Sequence, residues 1–102
     1  IFVDRDEDGR DGNDAASAAM VARVQRLARD VVKVPTRVDP AEGSDYIPFA
    51  RHGVPIVGLY EAGKNYPHYH RESDTPDKVD LAYVHDMARL ALASILELSR
   101  EP

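Results

Sequence analysis

No cysteine occurs among the 102 residues. That excludes disulfides and thiolate metal sites and leaves the redox compartment open. Tryptophan is also missing, and no apolar run approaches the ~20 residues that a membrane-spanning helix needs. Positive charge is scarce: 13 Lys and Arg face 18 Asp and Glu, for a formal charge of −5. The acids gather at Asp4 to Asp14 and at Glu72 to Asp80. This balance disfavours nucleic acid, whose phosphates want a basic face, and suits cations. The amino terminus opens on Ile1-Phe2-Val3 followed by acids, without a signal-peptide pattern and without an initiator Met. The expectation is a processed product or an excised piece.

What remains is an ordinary apolar share of 43%, enough for the core of one small domain. Ile1 to Val3 reads as the end of a strand, and Asp4 to Asp14 as a polar loop. Asp14 is placed to cap a helix from Ala15 to about Val31. Ala16, Met20, Val24, Leu27 and Val31 form its apolar stripe, with Arg23, Arg26 and Arg29 on the other face. Val32 to Val38 reads as a strand that Pro35 pushes towards a sheet edge. Ser44 caps a short helix that stops at Gly53, and Val54 to Tyr60 reads as a strand buried on both faces. Glu61 to Lys78 is loop. Asp80 caps a last helix whose expected buried stripe is Leu81, Val84, Ala88, Ala91, Ile95 and Leu98. Strands alternating with helices give an α/β class, with layered helices on a small mixed or parallel sheet in one domain, 1–102.

Chemistry concentrates between Ser44 and Asp80. The residues Ser44, Asp45, Phe49, Gly53 and Pro55 precede an apolar strand, and Tyr69, His70, Asp74, Thr75, Asp77 and Lys78 follow it. This spaced pattern resembles the carboxyl-terminal part of the bacterial di-zinc aminopeptidases of metallopeptidase family M twenty-eight. The resemblance covers nearly the whole chain, most strongly from Gly43 to Leu98. It implies a partial zinc-exopeptidase fold (phosphorylase/hydrolase-like), a peptide substrate and removal of amino-terminal residues by metal-activated water. It also implies that His70 is a zinc ligand and that Tyr69 donates to the oxyanion of the tetrahedral intermediate. Asp74 and Thr75 would then brace the loop, and Asp45 the site wall. Tyr46 stands where the family often has His, which alters the pocket rim. An isolated histidine in an acidic loop is ordinarily a solvated side chain. Only the Tyr-His adjacency within the motif singles out His70. His68 reads as a loop residue, and His52 and His85 as surface or capping groups.

The rest of the family's site is not written here. A zinc pair needs about five protein ligands and a carboxylate base. The chain contains neither a His-x-Asp nor a Glu-Glu pair. One imidazole cannot fill a tetrahedral shell, so the chain alone is expected not to hydrolyse peptides. Its implied partner is the missing amino-terminal half of the catalytic domain. A second signal is the run Asp4-Arg5-Asp6-Glu7-Asp8-Gly9. Alternating acids closed by glycine make Asp4, Asp6 and Asp8 candidate calcium ligands. The twelfth loop position is Ala15, and Asp11 and Asp14 fall out of register, so a solvated acidic loop is the simpler expectation.

The competing reading is a non-enzymatic small α/β module that binds a partner or calcium, or that oligomerises. A glutaminyl-cyclase relative is disfavoured by the Asp-Thr-Pro-Asp-Lys loop. An exposed sheet edge and core face lead one to expect self-association. Export from a bacterial cell is what the resemblance alone implies for location.

Overall fold

The computed structural model describes residues 1–61 and 66–100. Three strands, β1 (Phe2–Arg5), β2 (Arg37–Pro40) and β3 (Val57–Tyr60), form a mixed sheet in the order β2-β1-β3. β1 runs parallel to β2, with Val3 opposite Val38, and antiparallel to β3, with Val3 opposite Leu59. The helices are α1 (Asp14–Leu27), α2 (Ile47–Arg51) and α3 (Leu81–Leu98), and a short 3₁₀ turn spans Pro76–Lys78. No described helix is long and apolar enough to cross a membrane.

The α/β layering expected from the sequence is therefore present. Both β2 and β3 are edge strands. The edge character expected of the second strand holds, although Val32 and Pro35 lie outside it. The third strand is shorter than expected and is not buried on both faces, because it lies antiparallel at the other edge.

The core lies on one face of the sheet. Ile1 and Val3 pack with Val21, Val24, Ala28, Val32 and Leu90, and Val38, Val57 and Leu59 lean on this cluster. In α1 the buried line is Ser17, Val21 and Val24, continued by Ala28 and Val32 through a π-helical turn, Ala28–Val32. This is one residue out of step with the expected stripe, for Ala16 and Val31 are exposed. The cause is a polar residue in the seam. The Ser17 hydroxyl donates to the Ile56 carbonyl at 2.7 Å and accepts the Asp6 N–H at 2.9 Å. Two backbone groups are thereby satisfied. Nor do all three arginines point to solvent: Arg23 and Arg26 both reach Glu97 of α3, at 3.3 and 2.9 Å.

The cap of α1 is Asn13 rather than Asp14. The Asn13 amide donates to the Ala50 and Val54 carbonyls, both at 3.0 Å, and so ties the chain after α2 to the start of α1. Asp14 enters the first turn, where a carboxylate favours the helix dipole. Ser44 does not cap α2, which begins from Tyr46 with a proline in its first turn. It does end before Gly53, whose φ of +78° suits glycine. Asp80 caps α3 as expected, accepting the Tyr83 N–H at 3.2 Å.

The face of α3 turned to the core differs from the expected one. Leu90 and Ser94 are buried, with Tyr83 and Met87 packed beside them. Leu81 is 77%, Val84 50% and Ile95 64% exposed. The helix is apolar nearly all round, so its sequence carries more than one stripe of correct period. Packing against α1 selects among them.

Candidate active site

Side chains alternate across a strand, so the face of the sheet turned from the helices presents Phe2 and Asp4 of β1 with Gly58 and Tyr60 of β3. Asp4 sits opposite Gly58 on one side and Asp39 on the other. The ring of Tyr46 lies over Gly58: a Cβ added there would meet Tyr46 Cε2 at 2.6 Å. The Tyr46 hydroxyl donates to Asp4 Oδ2 at 2.7 Å and accepts the Glu42 N–H at 3.1 Å. Asp4 is only 6% exposed beneath it. Burial, reinforced by the Asp4 carboxylate, pushes the Tyr46 phenol well above the usual tyrosine range. Around this pair opens a cleft of about 410 Å³, walled by the carboxylates of Asp39, Glu42 and Glu61 and by the rings of Tyr60, Tyr66 and Tyr69.

Gly58 is where this wall is most sensitive. Gly58→Ala is expected to cost about 2 kcal/mol by forcing the Tyr46 ring off the sheet and breaking its bond to Asp4. In a Tyr46→Ala background the same change should cost about 0.5 kcal/mol or less, a coupling that urea unfolding of the four proteins measures.

The loop after β3 is a chain of local turns. Tyr69 N–H donates to the Tyr66 carbonyl at 3.4 Å, Arg71 N–H to His68 at 3.1 Å and Asp74 N–H to Arg71 at 3.1 Å. Tyr69 and His70 stack at 3.9 Å between ring centroids, 19° from parallel. His70 takes a left-handed backbone, φ +57°. That conformation is uncommon outside glycine, but histidine is among the residues that adopt it more readily, so it does not by itself mark a site. Asp74 accepts the Tyr66 hydroxyl at 2.6 Å, and that carboxylate pushes the Tyr66 phenol up to about 12. Thr75 donates to Asp77 and accepts Lys78 Nζ at 2.9 Å, while His68 Nδ1 meets Ser73 Oγ at 2.8 Å.

The expected site residues thus fall in three places. Tyr69, His70, Asp74 and Thr75 share the loop, and Tyr69 alone of them lines the cleft. Asp45 is exposed in the turn before α2. Of the three acids read as calcium ligands, Asp4 lies in β1 beneath Tyr46, whereas Asp6 and Asp8 gather with Asp14. Burial pushes the Asp6 carboxyl above the usual carboxylate range, and the charges of Asp8 and Asp14 push it the same way.

Tyr66 and the Tyr46–Asp4 pair were not marked by spacing as partners. Zinc takes four donors, and among the described residues His70 belongs to no group of three or more His, Asp or Glu ligands. Among the described residues, no zinc site is assembled around His70.

The family model described as Peptidase family M28 matches residues 3–95. No curated protein and no solved structure matches the chain at a significant level. The family match takes in β2, β3, β1 from Val3 onward, the histidine-bearing loop and all of the cleft lining but Phe2. The chain belongs to Peptidase family M28.

Proposed function

We propose that this chain is the carboxyl-terminal part of the catalytic domain of a bacterial zinc aminopeptidase, an enzyme that removes amino-terminal residues from peptides. In this reading His70 supplies one zinc ligand, Tyr69 donates a hydrogen bond to the oxyanion of the tetrahedral intermediate, and the other donors come from the amino-terminal half of the domain. Alone, the chain binds substrate and metal too incompletely to turn over.

The observation that carries the reading is the family match across residues 3–95 together with the Tyr69–His70 stack beside the cleft. Stacking holds the Tyr69 ring, which lines the cleft, against the His70 imidazole, the group that would hold zinc in this reading. Asp74 and Thr75 act on the loop rather than on substrate: one receives Tyr66, the other links Asp77 to Lys78. Asp45, one residue before Tyr46, lies exposed in the turn that leads into the cleft wall.

Zinc calorimetry on this chain and on His70→Ala tests the assignment. Weak binding that disappears in the variant is the expected result. Sub-micromolar binding, or binding indifferent to the substitution, would show that the ligand set is another one.

A further inference from the structure

The turn between β1 and α1 carries an arrangement that peptide hydrolysis does not use. Asp6, Asp8 and Asp14 each present a carboxylate oxygen, and all three oxygens lie within 4.8 Å of one another. Like charges so close repel unless something positive lies between them. Arg10 and Arg51 border the same cavity of about 340 Å³, but among the described residues neither makes an ion pair with any of the three acids.

A second observation concerns solvation. Asp6 is 4% exposed, and its buried Oδ2 has no hydrogen-bond partner. Its other oxygen receives only the Asp8 N–H, at 3.4 Å. Asp14 repeats the pattern: Oδ2 accepts the Gly9 N–H at 2.8 Å, and Oδ1 is buried without a partner. Buried acceptors are almost always satisfied, because desolvating one without return is costly. A water molecule would satisfy the orphaned oxygens but leave the mutual repulsion in place. A proton on Asp6 would remove one charge but leave Asp14 Oδ1 without a partner, whereas a cation answers both.

Donor chemistry selects the ion. Three carboxylates with no imidazole or thiolate suit a hard cation. Magnesium demands near-ideal octahedral geometry and sheds its waters reluctantly, whereas calcium accepts irregular shells of six to eight oxygens completed by carbonyls and water. A turn bent at Gly9 and Gly12, φ +76° and +70°, provides an irregular shell. The cavity beside Asp6 and Asp8 supplies an entry path. We propose that Asp6, Asp8 and Asp14 form a calcium site that clamps the β1–α1 turn onto the first turn of α1. Asp4, the first acid of the alternating run, is not a ligand, because Tyr46 holds it in the sheet. The proposal stands apart from the peptidase reading and does not depend on zinc.

The test is thermal unfolding and calorimetry of this chain with CaCl2, with MgCl2 and with NaCl at matched ionic strength. Calcium at about 1 mM should raise the Tm by about 5 °C or more, with a smaller shift from magnesium and little from NaCl. Asp14→Asn and Asp6→Asn should each weaken calcium binding about tenfold or more. Asp11→Asn, on the same cavity but outside the trio, should leave it within about twofold. Asp6→Asn should also raise the Tm of the calcium-free protein, since it relieves repulsion, while abolishing the calcium shift. Equal shifts from all three salts would reduce the effect to charge screening and overturn the site. So would calcium binding that is unchanged in Asp14→Asn, or no binding heat and no shift at about 10 mM.

Discussion

Removing one hydroxyl, Tyr69→Phe, is expected to lower kcat of the peptidase that carries this chain by about 10²–10³-fold, with KM changed by no more than about twofold. The ring and its stack on His70 survive the change, so the loop keeps its shape and the ground-state complex keeps its contacts. In the proposed role, what disappears is a donor that meets charge only as the carbonyl becomes tetrahedral, an interaction made in the transition state and not before it. Steady-state kinetics on an amino-acid anilide separate the two parameters. A rise in KM at constant kcat would instead make Tyr69 a binding residue of the cleft wall.

Leu90→Ala is expected to destabilise the chain by about 3 kcal/mol in urea unfolding. Leu90 is fully buried where α3 meets α1 and the π-helical turn after it. Three strands and two packed helices leave little slack to collapse into the resulting void. The comparison that gives the number meaning is Ile95→Ala on the same helix. Ile95 is 64% exposed, and its truncation should cost about 0.5 kcal/mol or less. Hydrophobic periodicity alone selects Ile95 for the core, so the pair decides which face of α3 is buried.

Features fixed by neighbours along the chain were legible: Asp80 as the cap of α3, Gly53 as the stop of α2, the alternation of strands and helices. Features decided across the fold were not. The α1 stripe is shifted by one residue because Ser17, a polar residue that hydrophobic periodicity does not select, spends its hydroxyl on Asp6 and Ile56 inside the seam. The α3 stripe was ambiguous because nearly every turn of that helix offers an apolar residue. Strand direction is a property of pairing, so nothing local in Val57–Tyr60 announces that it runs antiparallel to β1.

The site divides in the same way. Tyr69 and His70 stand out because the motif is contiguous. The pairing of Tyr46 with Asp4 spans 42 residues and leaves only one trace, a glycine inside an apolar strand where a ring comes close. Tyr66 and Asp74 are near in sequence, yet a tyrosine and an aspartate eight apart in a loop predict no bond until the turns between them are known. The acids between Asp4 and Asp14 were read in the register of a known calcium loop. The fold regroups them, drawing Asp4 into the sheet and Asp14 in from the start of α1.

In the proposed function, His70 belongs to an active site completed from outside this chain. The most direct measurement is zinc-supplemented turnover of a leucine anilide by three proteins: this chain, the whole peptidase that contains it, and that peptidase with His70→Ala. Turnover by the whole peptidase only, lost in the variant together with bound zinc, is the expected result. Turnover by the 102-residue chain alone, or undiminished turnover in the variant, would contradict it.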